Sequence, residues 1–235
     1  MIISHRGRNT NFGENTLAAF DKVLELGAQG IECDLRLTLD KKIVVCHDKK
    51  IKILNKKVLV SKSLFKDLNL LSLDELFIYI QKKPVLFFLE AKSSSKILVE
   101  SIIKKIQEND LWDRVHIIGF SFFIRTTIRS QAKYPKLKVL QIINIPLYSY
   151  IRKPAKSYGV MIGWFDSWHG SAWIFRKLIP VGRLIKLRKF YVRRGFKVMA
   201  GVINRKSGFK YFQQAGIEDI ISDNISGAVN YFKHL

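Results

Sequence analysis

The stretch that decides the fold is GAQGIECDLRLTLDKKIVVCHD, residues 27–48. Glu32 and Asp34 lie two positions apart within it, so both side chains point to one face of an extended strand. The apolar residues Ile31, Cys33 and Leu35 point to the opposite face, where Cys33 is predicted to be a small buried hydrophobe. Two carboxylates on one strand face repel each other unless a cation or a proton compensates their charge. The strand therefore predicts a site that binds a cation.

The second half of the stretch returns the chain toward this carboxylate pair. It turns at Lys41 and Lys42, and a second apolar run, Ile43–Cys46, is followed by His47 and Asp48. We therefore expect a titratable imidazole close to the two carboxylates.

Short apolar runs alternate with longer stretches of helical period along the chain, which is typical of βα units around a parallel sheet. The predicted strands are Ile2–Ser4, Gly30–Leu35, Val85–Glu90, Val115–Gly119, Lys138–Ile142, Val160–Gly163, Lys197–Val202 and Asp219–Ser222. The predicted helices are Thr16–Leu26, Leu73–Lys82, Lys96–Glu108, Phe123–Lys133, Tyr148–Ser157, Ser171–Arg194 (with a break at Pro180 and Gly182), Gly208–Gln214 and Ser226–Phe232. We predict an α/β fold, a TIM-type (β/α)₈ barrel formed by a single domain of residues 1–235, with a short insertion at about residues 49–71 over its C-terminal mouth.

Composition supports a packed globular protein, because 48% of the 235 residues are hydrophobic. No apolar run approaches the roughly 20 residues that a membrane-spanning helix needs. A signal peptide is hard to fit, because polar and basic residues begin at Ser4. Two cysteines cannot form a disulfide framework, so we predict a cytoplasmic protein, with peripheral contact at the inner face of the membrane as an open alternative.

The net charge of +22 is unevenly distributed. Residues 152–197 contain twelve Lys or Arg and one acidic residue, Asp166. Such a field favours anionic partners, although solvated helix faces explain the charge equally well. An aromatic cluster precedes the basic helix residues, which predicts either an interfacial lipid contact or ordinary core packing. Its members are Trp164, Phe165, Trp168, Trp173 and Phe175.

In a barrel of this kind, residues that carry chemistry collect at the C-terminal ends of the strands. Glu90 ends the third predicted strand, much as Glu32 and Asp34 end the second. Three carboxylates at adjacent strand ends form an oxygen-rich cage that suits Mg²⁺ or Ca²⁺ better than zinc. The alternative is that each is an ordinary surface or salt-bridged carboxylate.

Two histidines and two cations accompany the cage. His5 and His47 are expected at the same mouth, where one ring takes a proton from an attacking group and the other gives one to a leaving oxygen. Arg6 and Lys92 are expected to receive an anion, best a phosphoryl group, although they would also serve to neutralise nearby carboxylates. The remaining histidines are predicted to be polar residues with structural partners: His116, His169 and His234.

Further polar residues are expected to support the site. Glu14 is predicted to assist His5 or the metal, although a carboxylate at a helix start needs no such role. Asn15 or Thr16 is predicted to cap the first helix. Other polar residues follow the later strands: Asp166, Asn204 and Asp223.

As an ordered set, these motifs resemble the glycerophosphodiester phosphodiesterase family along essentially the whole chain. The matching segments are His5-Arg6-Gly7, Glu14-Asn15-Thr16, Gly27-Ala28, Ile31-Glu32-x-Asp34-Leu35-Arg36-Leu37-Thr38, Val44-Val45-x-His47-Asp48, Glu90-x-Lys92, Ser121-Phe122, Asn204 and Ser222-Asp223.

The resemblance implies a TIM-type barrel that hydrolyses glycerophosphodiesters to glycerol 3-phosphate and an alcohol, in glycerol and lipid metabolism. It implies a divalent metal on Glu32, Asp34 and Glu90, acid and base catalysis by His5 and His47, and phosphate contacts from Arg6 and Lys92. In the family's usual scheme the neighbouring glycerol hydroxyl attacks phosphorus, and water opens the cyclic product.

Three segments depart from the family pattern. Gly13 replaces the usual proline, Gly201-Val202-Ile203-Asn204 replaces Trp-Thr-Val-Asn, and Ser222-Asp223-Asn224-Ile225 replaces Thr-Asp-Arg-Pro. Because a tryptophan is lost at the mouth, the sequence does not define the pocket for the substrate headgroup. Two alternatives therefore stand beside a soluble-substrate enzyme. One is a membrane-associated enzyme of lysophospholipase D type that acts on lysophospholipids, and the other is a non-catalytic binder of anionic lipid or nucleic acid, although no specific nucleic acid is expected.

Overall fold

Eight parallel strands close into a barrel in the computed structural model, which describes residues 1–120, 123–143, 158–164 and 169–233. The first strand pairs with the second and also with the last, and this pairing closes the barrel. The strands are β1 (Ile2–His5), β2 (Gly30–Leu37), β3 (Ile43–Val45), β4 (Lys50–Ile53), β5 (Lys56–Leu59), β6 (Leu86–Ala91), β7 (Val115–Phe120), β8 (Lys138–Ile143), β9 (Gly159–Ile162), β10 (Lys197–Ala200) and β11 (Ile220–Ser222). All but β3, β4 and β5 belong to the barrel, so the predicted TIM-type fold and its eight strands are confirmed.

Helices follow the barrel strands and cover their outer face. They are α1 (Leu17–Glu25), α2 (Leu73–Lys82), α3 (Lys96–Glu108), α4 (Arg125–Ser130), α5 (Ser171–Leu178), α6 (Val181–Val192), α7 (Lys206–Gln214) and α8 (Ile225–Lys233). The predicted break is confirmed at Pro180, because this residue separates α5 from α6 in an extended conformation. It does not extend to Gly182, which lies in the first turn of α6. The helix predicted over Tyr148–Ser157 lies outside the described residues.

Alternation along β2 sorts its side chains as predicted. Ile31, Cys33 and Leu35 are fully buried between the barrel and the helices. Cys33 is a free thiol, as expected of a small buried hydrophobe. Glu32 and Asp34 point to the barrel interior, which a separate apolar cluster fills below them. Its buried members are Ile3, Phe88, Ile118, Leu140, Ile142, Met161, Met199 and Ile221.

The segment after β2 forms a cover of its own. Strand β3 runs antiparallel to the end of β2, with Leu35 paired to Val45. The chain continues through the hairpin of β4 and β5 and two 3₁₀ turns, Val60–Lys62 and Phe65–Asp67. A small apolar cluster holds these pieces together: Val44, Cys46, Val60 and Leu68. This packing supports our proposal that residues 49–71 are an insertion within one domain, and it places the loop that carries His47.

His116 is buried inside the barrel. Its ring stacks on Phe88 at 4.9 Å between centroids and lies 4.8 Å from the ring of Tyr158. Neither ring nitrogen has a hydrogen-bond partner in the described structure. The prediction of a polar residue with polar partners is therefore wrong, because aromatic rings replace them. Burial, with Lys138 and Lys197 nearby, lowers the pKa of His116 to about 4.

This buried imidazole should make the fold acid-sensitive. Between pH 6.5 and about 4 the unfolded chain binds a proton at His116 that the folded chain refuses, so the unfolding free energy falls as the pH falls through this window. We expect His116→Phe to reduce the stability loss between pH 7 and pH 4 by roughly 3 kcal/mol, as measured by urea unfolding. His169→Gln, at an exposed position, should retain the wild-type loss. An unchanged pH dependence in His116→Phe would contradict this account.

None of the described helices is both long enough and apolar enough to cross a membrane.

Candidate active site

Three buried carboxylates meet inside the barrel. Glu32 and Asp34 project from β2, and Glu90 projects from the neighbouring β6, where it is the register partner of Asp34. One oxygen from each residue lies within 4.8 Å of the others. The closeness follows from the sheet, because adjacent parallel strands place side chains of matched register side by side. The structure thus brings together the three residues that the sequence predicts as metal ligands.

The charge of this cluster is incompletely compensated. Both carboxylate oxygens of Glu32 are buried without a hydrogen-bond partner among the described residues. Burial, followed by repulsion from Asp34 and Glu90, raises the pKa of Glu32 well above its ordinary value. Burial also raises the pKa of Glu90, although Lys92 opposes it. A divalent cation fits this set, since it would supply the partner that Glu32 lacks and carboxylate oxygens are its preferred ligands.

Two cations lie against the cluster. The Lys92 ammonium is 2.8 Å from Asp34 Oδ1 and 2.7 Å from Glu90 Oε2. The Arg6 Nε lies 2.9 Å from Asp34 Oδ2. Burial alone would raise the pKa of Asp34, but Lys92 and Arg6 outweigh it and hold this pKa below its ordinary value. In this structure both cations therefore neutralise carboxylates, which was the alternative to phosphate binding.

His5 ends β1 and is held by a carboxylate from the last βα unit. Its Nδ1 lies 2.7 Å from Asp223 Oδ1. Asn204 donates from Nδ2 to Asp223 Oδ2 at 2.7 Å, and its Oδ1 accepts from the Asp223 backbone N–H at 2.8 Å. Burial lowers the pKa of His5, although the contact with Asp223 opposes this shift. Barrel closure thus brings residue 5 and residue 223 into direct contact.

The turn after His5 depends on glycine. Arg6 and Gly7 both adopt positive φ angles, 61° and 68°. A Cβ at position 7 would lie 2.9 Å from the Cβ of Ala19 on α1, closer than real contacts allow. Gly7 therefore lets the turn pack on α1 and aims Arg6 at Asp34.

His47 lies on the loop after β3 and is partly exposed. Its Nδ1 is 2.8 Å from Asp48 Oδ1. Arg36 donates to the backbone carbonyl of His47, from Nε at 2.8 Å and also from Nη2. Burial lowers the pKa of His47, while Asp34 and Asp48 oppose the shift. The loop is thus fixed to β2, the strand that carries two of the carboxylates.

The contact between His5 and Asp223 allows a test of orientation. The two carboxylate oxygens of Asp223 each accept a hydrogen bond, one from His5 and one from Asn204. In Asp223→Asn an amide N–H₂ replaces one of these acceptors and faces one of the two donors. We expect kcat to fall on the order of 10-fold to 100-fold with little change in KM, because His5 loses its orienting partner. Steady-state kinetics and a thermal melt measure both effects. Unchanged kcat in a folded variant would show that Asp223 does not position His5.

The structure adds contacts that sequence reasoning missed. Of the two predicted caps of α1, Thr16 is confirmed, whereas Asn15 is buried and donates to Asp34 Oδ2 at 3.2 Å. Arg8 pairs with Glu14 at 3.0 Å, and Glu14 also lies 3.6 Å from Arg6. Asn15 and Arg36 lie inside quoted motifs, so their position was a signal. Arg8 lies one residue beyond the motif His5-Arg6-Gly7, so the sequence gave no signal for it.

A cavity of about 420 Å³ unites these groups. Its lining is partly polar and partly apolar. The polar lining consists of His5, Arg6, Arg8, Glu32, His47, Glu90, Lys92, Asn204 and Asp223. The apolar lining consists of Ile118, Phe120, Ile142, Met161, Val202 and Ile221. A Cβ at Gly201 would lie 2.9 Å from Met161 Sδ and 3.0 Å from Ile221 Cβ, so this backbone has no room for the tryptophan that Gly201 replaces.

The aromatic cluster near this end of the barrel divides in two. Trp164 and Phe175 are buried and pack against Phe212, which agrees with core packing. Trp173 is exposed. The other residues singled out in the sequence lie outside the described residues: Ser121, Phe122, Phe165, Asp166, Trp168 and His234.

Comparison with known proteins finds similarity to one enzyme family. The model of the glycerophosphoryl diester phosphodiesterase family matches residues 5–89, which carry five of the matching segments. A glycerophosphodiester phosphodiesterase of Caldanaerobacter subterraneus subsp. tengcongensis is 26% identical over 98% of this chain and 96% of its own. The predicted resemblance to the glycerophosphoryl diester phosphodiesterase family is confirmed. The predicted enzyme class, a phosphoric diester hydrolase, is confirmed as well.

Solved structures of glycerophosphoryl diester phosphodiesterases share the fold. One from Thermotoga maritima has a TM-score of 0.72 at 20% identity, over 97% of this chain and 96% of its own. A phosphodiesterase of Oleispira antarctica, solved in complex with its product sn-glycerol-3-phosphate, has a TM-score of 0.78 at 17% identity, over 99% of this chain and 96% of its own. At these identities the likeness shows the barrel fold alone.

Proposed function

We propose that this protein hydrolyses glycerophosphodiesters to glycerol 3-phosphate and an alcohol, with Mg²⁺ or Ca²⁺ held by Glu32, Asp34 and Glu90. The observation that carries the proposal is the buried carboxylate cluster with the unpartnered oxygens of Glu32. Two imidazoles and two cations line the same cavity. When bound, the divalent cation would supply positive charge for the phosphoryl oxygens.

The two histidines are suited to moving protons. Each Nδ1 is engaged by a carboxylate, Asp223 for His5 and Asp48 for His47, which leaves each Nε2 for the substrate. Their lowered pKa values favour neutral rings that accept a proton near pH 7. In our proposal one neutral ring takes the proton of the attacking glycerol hydroxyl at Nε2. The other ring acts in its charged form, with a proton on Nε2, and gives that proton to the leaving oxygen. Water then opens the cyclic phosphate to give glycerol 3-phosphate.

Arg6 and Lys92 are proposed to bind the phosphoryl oxygens. Both already lie at the carboxylate cluster, and both line the cavity. The Arg6 guanidinium binds two oxygens as a fork, whereas the Lys92 ammonium acts as a point charge. The attraction of Asp34 and Glu90 outweighs burial and raises the pKa of Lys92, so it remains charged.

The size of the cavity and the family relationship support a small, soluble diester over a lysophospholipid. The preserved cluster of ligands and histidines argues against a non-catalytic binder. The leaving alcohol would lie against the apolar part of the lining.

The proposal is tested by product analysis. The protein is incubated with glycerophosphocholine, glycerophosphoethanolamine and a lysophosphatidylcholine, with and without EDTA, and glycerol 3-phosphate and free alcohol are measured. We expect chelator-sensitive release of glycerol 3-phosphate from at least one of the two soluble diesters. Alcohol release from the lysophospholipid alone would favour the lysophospholipase alternative, and no release from any substrate would reject both activities.

A further inference from the structure

Helix α5 is apolar on two sides. Phe175 and the following Ile179 are buried on its inner side. On the outer side Trp173, Ile174 and Leu178 are 64%, 52% and 43% exposed. Ile174 and Leu178 are four positions apart and lie on one face, and Trp173 extends the exposed surface beside Ile174. In the described structure the other large exposed apolar side chains are spread over different elements. Exposed apolar surface is therefore concentrated on α5. Such a concentration marks an interaction site.

Beside this face lies a basic cleft of about 500 Å³. Among the described residues that line it are four basic side chains and no acidic one: His169, Arg176, Lys177 and Arg205. Lys177 Nζ lies 4.9 Å from the centre of the Trp173 ring, which ties the cleft to the apolar face.

Arg176 is held in place for an anion. Its guanidinium carbon lies 5.0 Å from the centre of the Trp164 ring and 5.5 Å from that of Tyr211. Its Nη2 donates to Ser207 Oγ at 3.3 Å. The Nε is buried and has no hydrogen-bond partner in the described part of the chain. A guanidinium fixed by two rings with donors to spare suits an oxyanion such as a lipid phosphate.

The cleft and the active site open at the same end of the barrel. Helix α5 follows the C-terminal end of β9, and Arg205 directly follows Asn204, which lines the catalytic cavity. The surrounding sequence is strongly basic, since residues 167–217 contain no Asp or Glu. Its basic residues are Arg176, Lys177, Arg183, Lys186, Arg188, Lys189, Arg193, Arg194, Lys197, Arg205, Lys206 and Lys210, besides His169.

We infer that the outer face of α5 and the adjoining cleft form a docking surface for an anionic lipid bilayer. Trp173, Ile174 and Leu178 enter the interfacial layer, and the basic cleft receives lipid phosphates. Each Lys or Arg near an anionic membrane adds electrostatic attraction. A bilayer fits better than nucleic acid, because phosphate contacts alone give no reason for an exposed apolar face. Docking would bring the mouth of the barrel to the membrane surface, whichever substrate it hydrolyses.

Vesicle co-sedimentation at physiological salt tests this inference. The full-length protein is mixed with vesicles of phosphatidylcholine alone and of phosphatidylcholine with about one third phosphatidylglycerol. We expect binding to the anionic vesicles, weak binding to the neutral ones, and at least about a 10-fold loss of anionic binding in the double variant Trp173→Ser and Ile174→Ser.

A matched double variant, Ile78→Ser and Ile97→Ser, removes similarly exposed apolar residues from α2 and α3 and should bind as wild type. Both double variants should retain glycerophosphodiester turnover, which serves as the check on folding. Equal binding to both vesicle types, no vesicle binding by the wild type, or full vesicle binding by the variant at positions 173 and 174 would overturn the inference. So would salt-sensitive binding to duplex DNA without vesicle binding.

Discussion

Replacing Glu32 with glutamine is expected to lower glycerophosphodiester turnover on the order of 1,000-fold. The substitution keeps the size of the side chain but removes one of three negative charges from the proposed ligand set, so the cation is held weakly and phosphoryl charge goes uncompensated. The same change relieves repulsion among buried carboxylates. We therefore expect the metal-free variant to be at least as stable as the metal-free wild type. Turnover at saturating Mg²⁺ and a thermal melt in EDTA measure the two effects.

The opposite signs of these effects make the result specific. A general folding defect would lower both turnover and stability, whereas loss of a metal ligand lowers turnover alone. Glu25→Gln, an exposed glutamate on α1, is the matched control and should change neither quantity. Turnover of Glu32→Gln within a few-fold of wild type would contradict the role proposed for Glu32.

The second large effect is expected at the two histidines. His5→Asn and His47→Asn should each lower kcat by about 100-fold to 10,000-fold with little effect on KM, because each ring transfers a proton in the transition state. The kcat of the double variant should be only slightly lower than that of the less active single variant, because the effects of substitutions within one reaction step are not additive. Steady-state kinetics of the three variants supplies the comparison.

His169→Asn provides the matched control for the histidines. It is exposed and lies in the basic cleft, outside the catalytic cavity, so kcat should stay at the wild-type value. A loss smaller than 10-fold in both single variants at positions 5 and 47 would remove the two-histidine mechanism and leave the metal site standing.

The barrel was predictable because its signal is local and repeated. Each buried strand is a short apolar run, and the period of two along β2 already separated Glu32 and Asp34 from Cys33. Once the strands were placed, parallel order implied that Glu90 would lie beside Asp34, and the register agrees.

The polar contacts between distant segments were not predictable in the same way. No period in the sequence links His5 to Asp223, because the contact exists only when β11 pairs with β1 and closes the barrel. Arg36 was quoted in a motif, yet its bond to the backbone of His47 depends on the path of the loop after β3.

His116 shows a different limit. The pattern of β7 marks its position as facing the barrel interior, but a histidine is too polar for composition to predict a site between aromatic rings. The outer face of α5 was also ambiguous, since one amphipathic pattern describes both core packing and an interfacial helix. Here Phe175 faces inward and Trp173 outward, so both descriptions apply to one helix.

The most direct test of the central claim is a metal titration of the stripped protein. Protein treated with chelator and then dialysed is titrated with Mg²⁺ and, separately, with Ca²⁺, while metal binding and release of glycerol 3-phosphate are measured together. The proposed site predicts negligible turnover without metal and turnover that rises with the occupancy of the carboxylate site by at least one of the two ions. Full turnover in protein shown to be free of metal would contradict it.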